Sequence, residues 1–226
     1  MNRKCPRISG LAAGLAMLGA TAAGAADLAP IVEAPVAEVP AASSPWQIRV
    51  RVGVITEDSG SVNGVAGSDL SYSDSVIPEL DISYYFTDNI AAELILGTTF
   101  ADIDEDGAVG VPVGRAWLLP PTLTLQYHFT DFGAFKPYVG AGVNYSMFYN
   151  QSERGGFHNL DVENAFGVAL QVGFDYMLDE HWGVNFDVKK IFLETDWSAD
   201  HDSLGALSGK AKIDPWLIGG GISYRY

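Results

Sequence analysis

One cysteine, Cys5, stands among the first residues of a 226-residue chain. Disulfides, thiolate metal sites and a thiol nucleophile are therefore excluded from everything after it. Basic residues are scarce too, with 13 Lys and Arg against 28 Asp and Glu and a formal net charge of −15. Nucleic acid is excluded as a partner, because phosphate contacts need Lys and Arg. The acidity otherwise suits an ordinary solubilising surface and names no partner by itself. No run reaches the roughly 20 apolar residues that a membrane-spanning helix needs. Neither G-x-S-x-G nor H-E-x-x-H occurs, so no hydrolase or zinc-protease signature is present and no cofactor is implied.

What is present begins with export. Asn2-Arg3-Lys4 and Arg7 precede a short apolar stretch, Ile8 to Ala20, and Ala23-Gly24-Ala25 forms an A-x-A cleavage site. This order predicts a signal peptide over residues 1–25. Cys5 lies before the apolar stretch, so it is not a lipoprotein acceptor. Residues 26–45 carry Pro30, Pro35, Pro40 and Pro45 among Ala, Val and Glu. Proline at that spacing blocks both helix and ladder, which predicts an extended periplasmic linker.

From Trp46 onward the apolar period is two. Trp46-Gln47-Ile48-Arg49-Val50-Arg51-Val52 opens the series. Seven further segments follow, roughly 75–86, 90–99, 118–129, 136–149, 164–177, 182–193 and 213–226. Short turns at 87–89, 130–135 and 178–181 alternate with long connections at 58–74, 100–117, 150–163 and 194–212. Short turns on one rim and long loops on the other predict an all-β, eight-stranded antiparallel transmembrane β-barrel over 46–226. The chain ends on Ile222, Tyr224 and Tyr226 in alternation, a strand that closure would pair with the first. That ending also resembles the terminal assembly signal of Gram-negative outer-membrane proteins, which would make the outer-membrane assembly machinery a partner.

Alternate residues divide the strands into two faces. Val50, Val52, Leu80, Leu94, Leu123, Leu125, Val172 and Ile218 would meet lipid, with Trp46, Phe86, Phe129, Tyr176, Trp182 and Tyr226 as an aromatic girdle at the periplasmic rim. The inward face carries Arg49, Arg51, Glu79, Asp81, Glu93, Asp175, Asp187, Lys189 and Arg225. Eight strands leave just enough width for side chains, so these charges should pair into a plug rather than line a water pore. At the outer ends the inward face becomes apolar, with Ile55, Ile77, Ile95, Leu118, Pro120, Phe148, Ile191 and Leu217. Those residues would either line a ligand pocket open to the outside or pack against one another and the loops. Gly97, Gly140, Gly142, Gly167, Gly173, Gly219 and Gly221 face inward too, where missing side chains leave space or allow curvature.

Several segments are recognisable as sequence. Lys136 to Tyr145, Trp117 to Tyr127, His181 to Ile191 and Asp214-Pro215-Trp216 resemble the OmpW family. The resemblance implies a cell outer-membrane barrel with a narrow hydrophobic channel that takes up small hydrophobic molecules. Outer-membrane lipids and lipopolysaccharide would be its surroundings. Two other classes stay open, a structural or adhesive barrel without transport and a lipid A-modifying enzyme. For the enzyme, the outer loops offer His158 and His201-Asp202-Ser203, although adjacent loop residues do not define an oriented triad. Asp102-Ile103-Asp104-Glu105-Asp106-Gly107 imitates the start of a calcium-binding EF-hand loop, but Val113 stands where the bidentate Glu must be, so no metal site is expected. Lys190 would point outward near the outer rim and reach headgroup phosphates.

Overall fold

A computed structural model describes residues 44–56, 62–63, 70–105 and 112–226. The expected signal peptide lies outside the described residues, as does the linker apart from Ser44 and Pro45. Those two already join the sheet: the Ser44 amide donates to the Tyr226 carbonyl at 2.9 Å, and the Tyr85 amide donates to the Pro45 carbonyl at 2.7 Å.

The described strands are β1 (Trp46–Thr56), β2 (Val62–Asn63), β3 (Leu70–Tyr72), β4 (Ser75–Tyr85), β5 (Ile90–Gly97), β6 (Thr99–Glu105) and β7 (Pro112–Leu119). After them come β8 (Thr122–His128), β9 (Phe135–Glu153), β10 (Phe157–Val162), β11 (Ala165–Met177), β12 (Trp182–His201), β13 (Gly205–Lys212) and β14 (Trp216–Arg225). Eight close into an antiparallel ring, β1–β4–β5–β8–β9–β11–β12–β14, and β14 returns to β1 with Ile48 opposite Tyr224 and Thr56 opposite Trp216. Closure removes both edges, the condition for spanning a bilayer with strands.

Alternation sets the register. Arg49 faces Asp81 and Arg51 faces Glu79 across β1 and β4, while Val50 lies between Leu80 and Ile222 on the other face. A slip of one residue would carry both arginines into hydrocarbon, at roughly 2–4 kcal/mol for each at mid-depth. The outward stripe, including Val50, Val52, Leu123, Leu125 and Val172, is exposed as expected. Edge-to-face pairs of Trp46 with Tyr84, Tyr127 with Phe129 and Trp182 with Tyr224 mark the periplasmic rim. A second aromatic belt, Phe100, Trp117 and Tyr149, marks the outer rim.

Short turns hold the periplasmic end. Asp179 accepts the amides of His181 and Trp182 at 2.8 and 2.7 Å. Thr87 does the same for Asn89 and Ile90 at 3.2 and 3.0 Å.

The long connections differ from expectation, because most of their described residues are strand. β12 runs for 20 residues and β9 for 19. At about 3.3 Å per residue, each far exceeds a hydrocarbon thickness of about 30 Å. Above the membrane, β7 pairs with the outer part of β9, β6 with β7 and β3 with β6. β10 and β13 flank the outer part of β12, and β2 pairs with β13. In Glu194 to His201 the inward residues Thr195, Trp197, Ala199 and His201 alternate with outward Glu194, Asp196, Ser198 and Asp200. The period is still two, but the outward face meets water, so the apolar stripe that marks the lower strand is missing.

Candidate functional site

The barrel interior is layered. In the periplasmic half, Arg49 is wholly buried, and its guanidinium holds Asp175 in a two-point bond, Nε to Oδ1 at 3.1 Å and Nη2 to Oδ2 at 2.6 Å. It also donates to Glu93 and, at 3.0 Å, to the Ser83 hydroxyl. Arg51 donates to Asp81 at 2.9 Å and to Asp187 at 2.8 Å, with Glu79 at 3.5 Å. Lys189 donates to both Glu79 oxygens, at 3.1 and 2.9 Å. Gln171 links the two halves by donating to Asp187 at 2.5 Å and to Glu93 at 3.1 Å, and Gln126 donates to Glu93 at 2.7 Å. Enclosed charges persist when paired and hydrogen-bonded, and every charge of this network has an opposite partner, although Arg51 Nε and Asp81 Oδ1 are left without a hydrogen bond.

Arg225 does not join it. Its guanidinium lies over the Tyr85 ring, 4.0 Å from the centroid, half-buried at the periplasmic rim where its strand ends. Inward glycines do not leave empty space at this level. A Cβ on Gly173 would fall 2.7 Å from Tyr138 Cζ and 2.5 Å from Asp187 Cβ. The room is taken by Tyr138, whose hydroxyl donates to Asp187 at 3.3 Å.

Above the charges lies an apolar floor in which Ile55, Ile77, Ile191 and Leu217 pack with Ala169 and Leu193. Ile95 is buried lower in the wall. Pro120 belongs to a polar collar, its carbonyl accepting from Asn144 at 3.2 Å and from Thr122 at 3.0 Å.

Above the floor is a cavity of about 110 Å³. Of the residues expected to line a pocket, Ile55, Leu118 and Phe148 do so. Ile77, Ile191 and Leu217 form the floor instead, and Ile95 and Pro120 stand outside the cavity. Part of the remaining wall comes from segments expected to be loops: Ala101 and Ile103 of β6, Val113 and Ala116 of β7, Leu160 and Val162 of β10, and Trp197 of β12; Ser75, Thr99, Ile213 and Pro215 come from the expected strands, and Lys212 adds a charged group. Val113, Leu160 and Trp197 also belong to a second apolar cluster, which Phe157 and Ala199 complete behind the wall. Register shifts in β6, β7 and β10 interrupt the period of two, and the outer part of β12 lacks the outward apolar stripe that flagged the barrel strands.

The outer residues considered for chemistry are otherwise engaged. His158 Nε2 lies 3.1 Å from Asp202 on the exposed surface, and His201 Nδ1 accepts the Ser203 backbone amide at 3.3 Å. That bond uses the Ser203 amide rather than its hydroxyl, so no oriented triad is formed through it. Asp102 receives two bonds from Arg115, at 2.8 and 2.9 Å, which hold its carboxyl below the ordinary range. Val113 is buried, and no metal-holding cluster occurs among the described residues. Asp106 and Gly107 lie outside them. Lys190 lies on the outward face beside Phe192 and Trp216. It donates to the Asp214 carbonyl and lies 4.9 Å from the centre of the Trp216 ring.

The model of the OmpW family matches residues 45–226, the whole of the barrel and its outer wall. The chain belongs to the OmpW family. It is 75% identical over 216 residues to the uncharacterized outer-membrane protein y4mB of Sinorhizobium fredii, covering 95% of this chain and 94% of that protein. It is 29% identical over 195 residues to the dibenzothiophene metabolism operon protein PahQ of Pseudomonas aeruginosa, covering 82% and 90%. Among solved structures, the outer membrane protein OprG from Pseudomonas aeruginosa superposes with a TM-score of 0.75 at 26% identity, covering 82% of this chain and 97% of that one. This OmpW-family chain is thus an outer-membrane barrel, surrounded by lipid and lipopolysaccharide. Its relatives' names describe no enzymatic activity.

Proposed function

We propose that the outer cavity receives small hydrophobic molecules from outside the cell and that the barrel serves their uptake as a narrow hydrophobic channel. The observation that carries this reading is a largely apolar cavity seated on an apolar floor, with a paired polar plug beneath. A hydrophobic solute entering from outside would find apolar walls down to Ile55, Leu118 and Phe148. Below them it would meet paired charges, where an apolar molecule gains nothing. Passage would therefore continue sideways through the wall into the bilayer rather than along the axis.

The name of the PahQ relative ties that protein to the metabolism of a hydrophobic, sulfur-containing aromatic compound, which agrees with such a cargo. We read the chain as a non-enzyme, since its outer His and Ser residues share no catalytic geometry. Ile222, Tyr224 and Tyr226 remain our candidates for recognition by the assembly machinery.

Liposome uptake of a small hydrophobe tests the channel reading. Ile55→Asp, Leu118→Asp and Phe148→Asp should each lower the uptake rate at least several-fold, because an unpaired carboxylate in an apolar wall is strongly disfavoured. Unchanged uptake in all three variants would sink the proposal.

A further inference from the structure

We infer that small hydrophobic solutes enter the cavity from the side, through a seam between β9 and β10 just above the outer rim of the membrane, and that Gln151 is the latch of that seam. The inference rests on the cavity reading above and adds its entrance. β9 and β10 follow one another through a tight turn, yet among the described residues no backbone ladder joins them. The ladder that β9 shares with β11 stops where Ser146 meets Ala165, and β10 spends its own ladder on β12.

Side chains close the gap instead. Asn164 Oδ1 accepts the Phe148 amide at 2.8 Å, and Glu153 Oε1 accepts the Leu160 amide at 3.2 Å. Between them the Gln151 amide group takes both backbone groups of Val162, accepting its N–H at 3.0 Å and donating to its carbonyl at 3.3 Å. A side-chain amide thus stands where a neighbouring strand would be. The backbone explains why the ladder fails. Asn150 of β9 and Asn159 of β10 both adopt left-handed φ values, 49° and 53°, which turn each strand out of the extended run that pairing needs.

This seam is where two sheets meet. β3, β6, β7 and β9 form one part of the outer wall, and β10, β12, β13 and β2 the other, each held by ladders. Both margins of the seam reach the cavity, Phe148 from β9 and Leu160 and Val162 from β10. Gln151 stands two residues beyond Tyr149 of the outer aromatic belt, so the seam begins just above the bilayer. Parting it costs little. Glu153 and Asn164 are exposed and Gln151 half-buried, so water takes over their bonds as they break. Parting a ladder would instead expose a row of backbone groups at once, and local openings follow the lines of lowest stability.

The test uses the protein in liposomes with lipopolysaccharide in the outer leaflet, and naphthalene as the solute. Ser152→Cys with Asp161→Cys places a thiol on each exposed margin of the seam, and dibromobimane added after folding ties them together. The tied protein should lose most of its uptake, while each single-cysteine variant carrying the same reagent should keep it. Glu194→Cys with Lys212→Cys, opposite one another in the β12–β13 ladder, should transport as before when tied. Gln151→Ala should raise uptake and speed hydrogen exchange of the Val162 amide about two- to tenfold; an unchanged exchange rate would overturn the latch. If the tied seam transports as before while Ile55→Asp, Leu118→Asp and Phe148→Asp have lost uptake, the inference fails and the cavity reading stands. If those three also transport as before, the cavity reading fails and this inference with it.

Discussion

Replacing Arg51 with Met would remove the cation that three carboxylates share. Asp81 lies 2.9 Å from its guanidinium, Asp187 2.8 Å and Glu79 3.5 Å. Lys189 can still serve Glu79, at 2.9 Å, and Asp187, at 3.6 Å, but Asp81 has no other described ion-pair partner. Arg51 is 2% exposed, so water does not replace it. Breaking a buried pair in this way costs about 3–5 kcal/mol, because the remaining charge stays enclosed and uncompensated.

Adding Asp81→Leu should then recover about 1–2 kcal/mol, since it removes the orphaned carboxylate instead of leaving it. Urea unfolding in phospholipid vesicles, followed by tryptophan fluorescence and by heat-dependent gel mobility, would measure both. The reasoning is refuted if Arg51→Met costs less than about 1 kcal/mol, or if the second substitution adds a loss of its own. Either result would mean that water enters the plug and screens it. The sealed layer on which the sideways route depends would then be gone.

Gly173→Val should destabilise the barrel by about 1–3 kcal/mol in the same assay, because its Cβ would fall within 2.7 Å of Tyr138 Cζ and Asp187 Cβ. Combining it with Tyr138→Ala should return part of that loss, and failure to do so would show that the clash lies elsewhere. For Asp102, hydrogen bonding from Arg115 depresses the folded-state pKa below the ordinary 3.8. The stabilisation is therefore present above that value and fades as the pH falls through the lower folded value. A carboxyl NMR titration should place the Asp102 midpoint below 3.8, and Arg115→Gln should bring it back up; a midpoint unaffected by Arg115→Gln would refute the assignment.

Much of the lower barrel was legible in the sequence, and for a definite reason. Where one face of a strand meets hydrocarbon and the other a charged interior, each residue's polarity reports its side, as with Val50 between Arg49 and Arg51. The three short turns were marked by Asp, Asn and Thr. The charged residues of the plug could be named, but not their partners. Arg225 shows the limit, since its strand position faces inward and yet leaves it at the rim, over Tyr85.

The outer half was less legible. Phe148 and Leu118 could be placed facing inward, but Leu160, Val113 and Trp197 were lost among presumed loops. Strands with water on their outer side carry no apolar stripe to announce them.

Taken alone, then, the sequence determined the membrane-spanning architecture, because a bilayer of known thickness and a side-chain period of two leave few alternatives. Tertiary structure decided which apolar residues pack shut and which stay open around a cavity. That choice depends on β3, β6, β7, β10, β12 and β13 meeting above the membrane from distant points in the chain. It also joined β9 to β10 by side chains instead of a ladder, which the alternation of residues does not record.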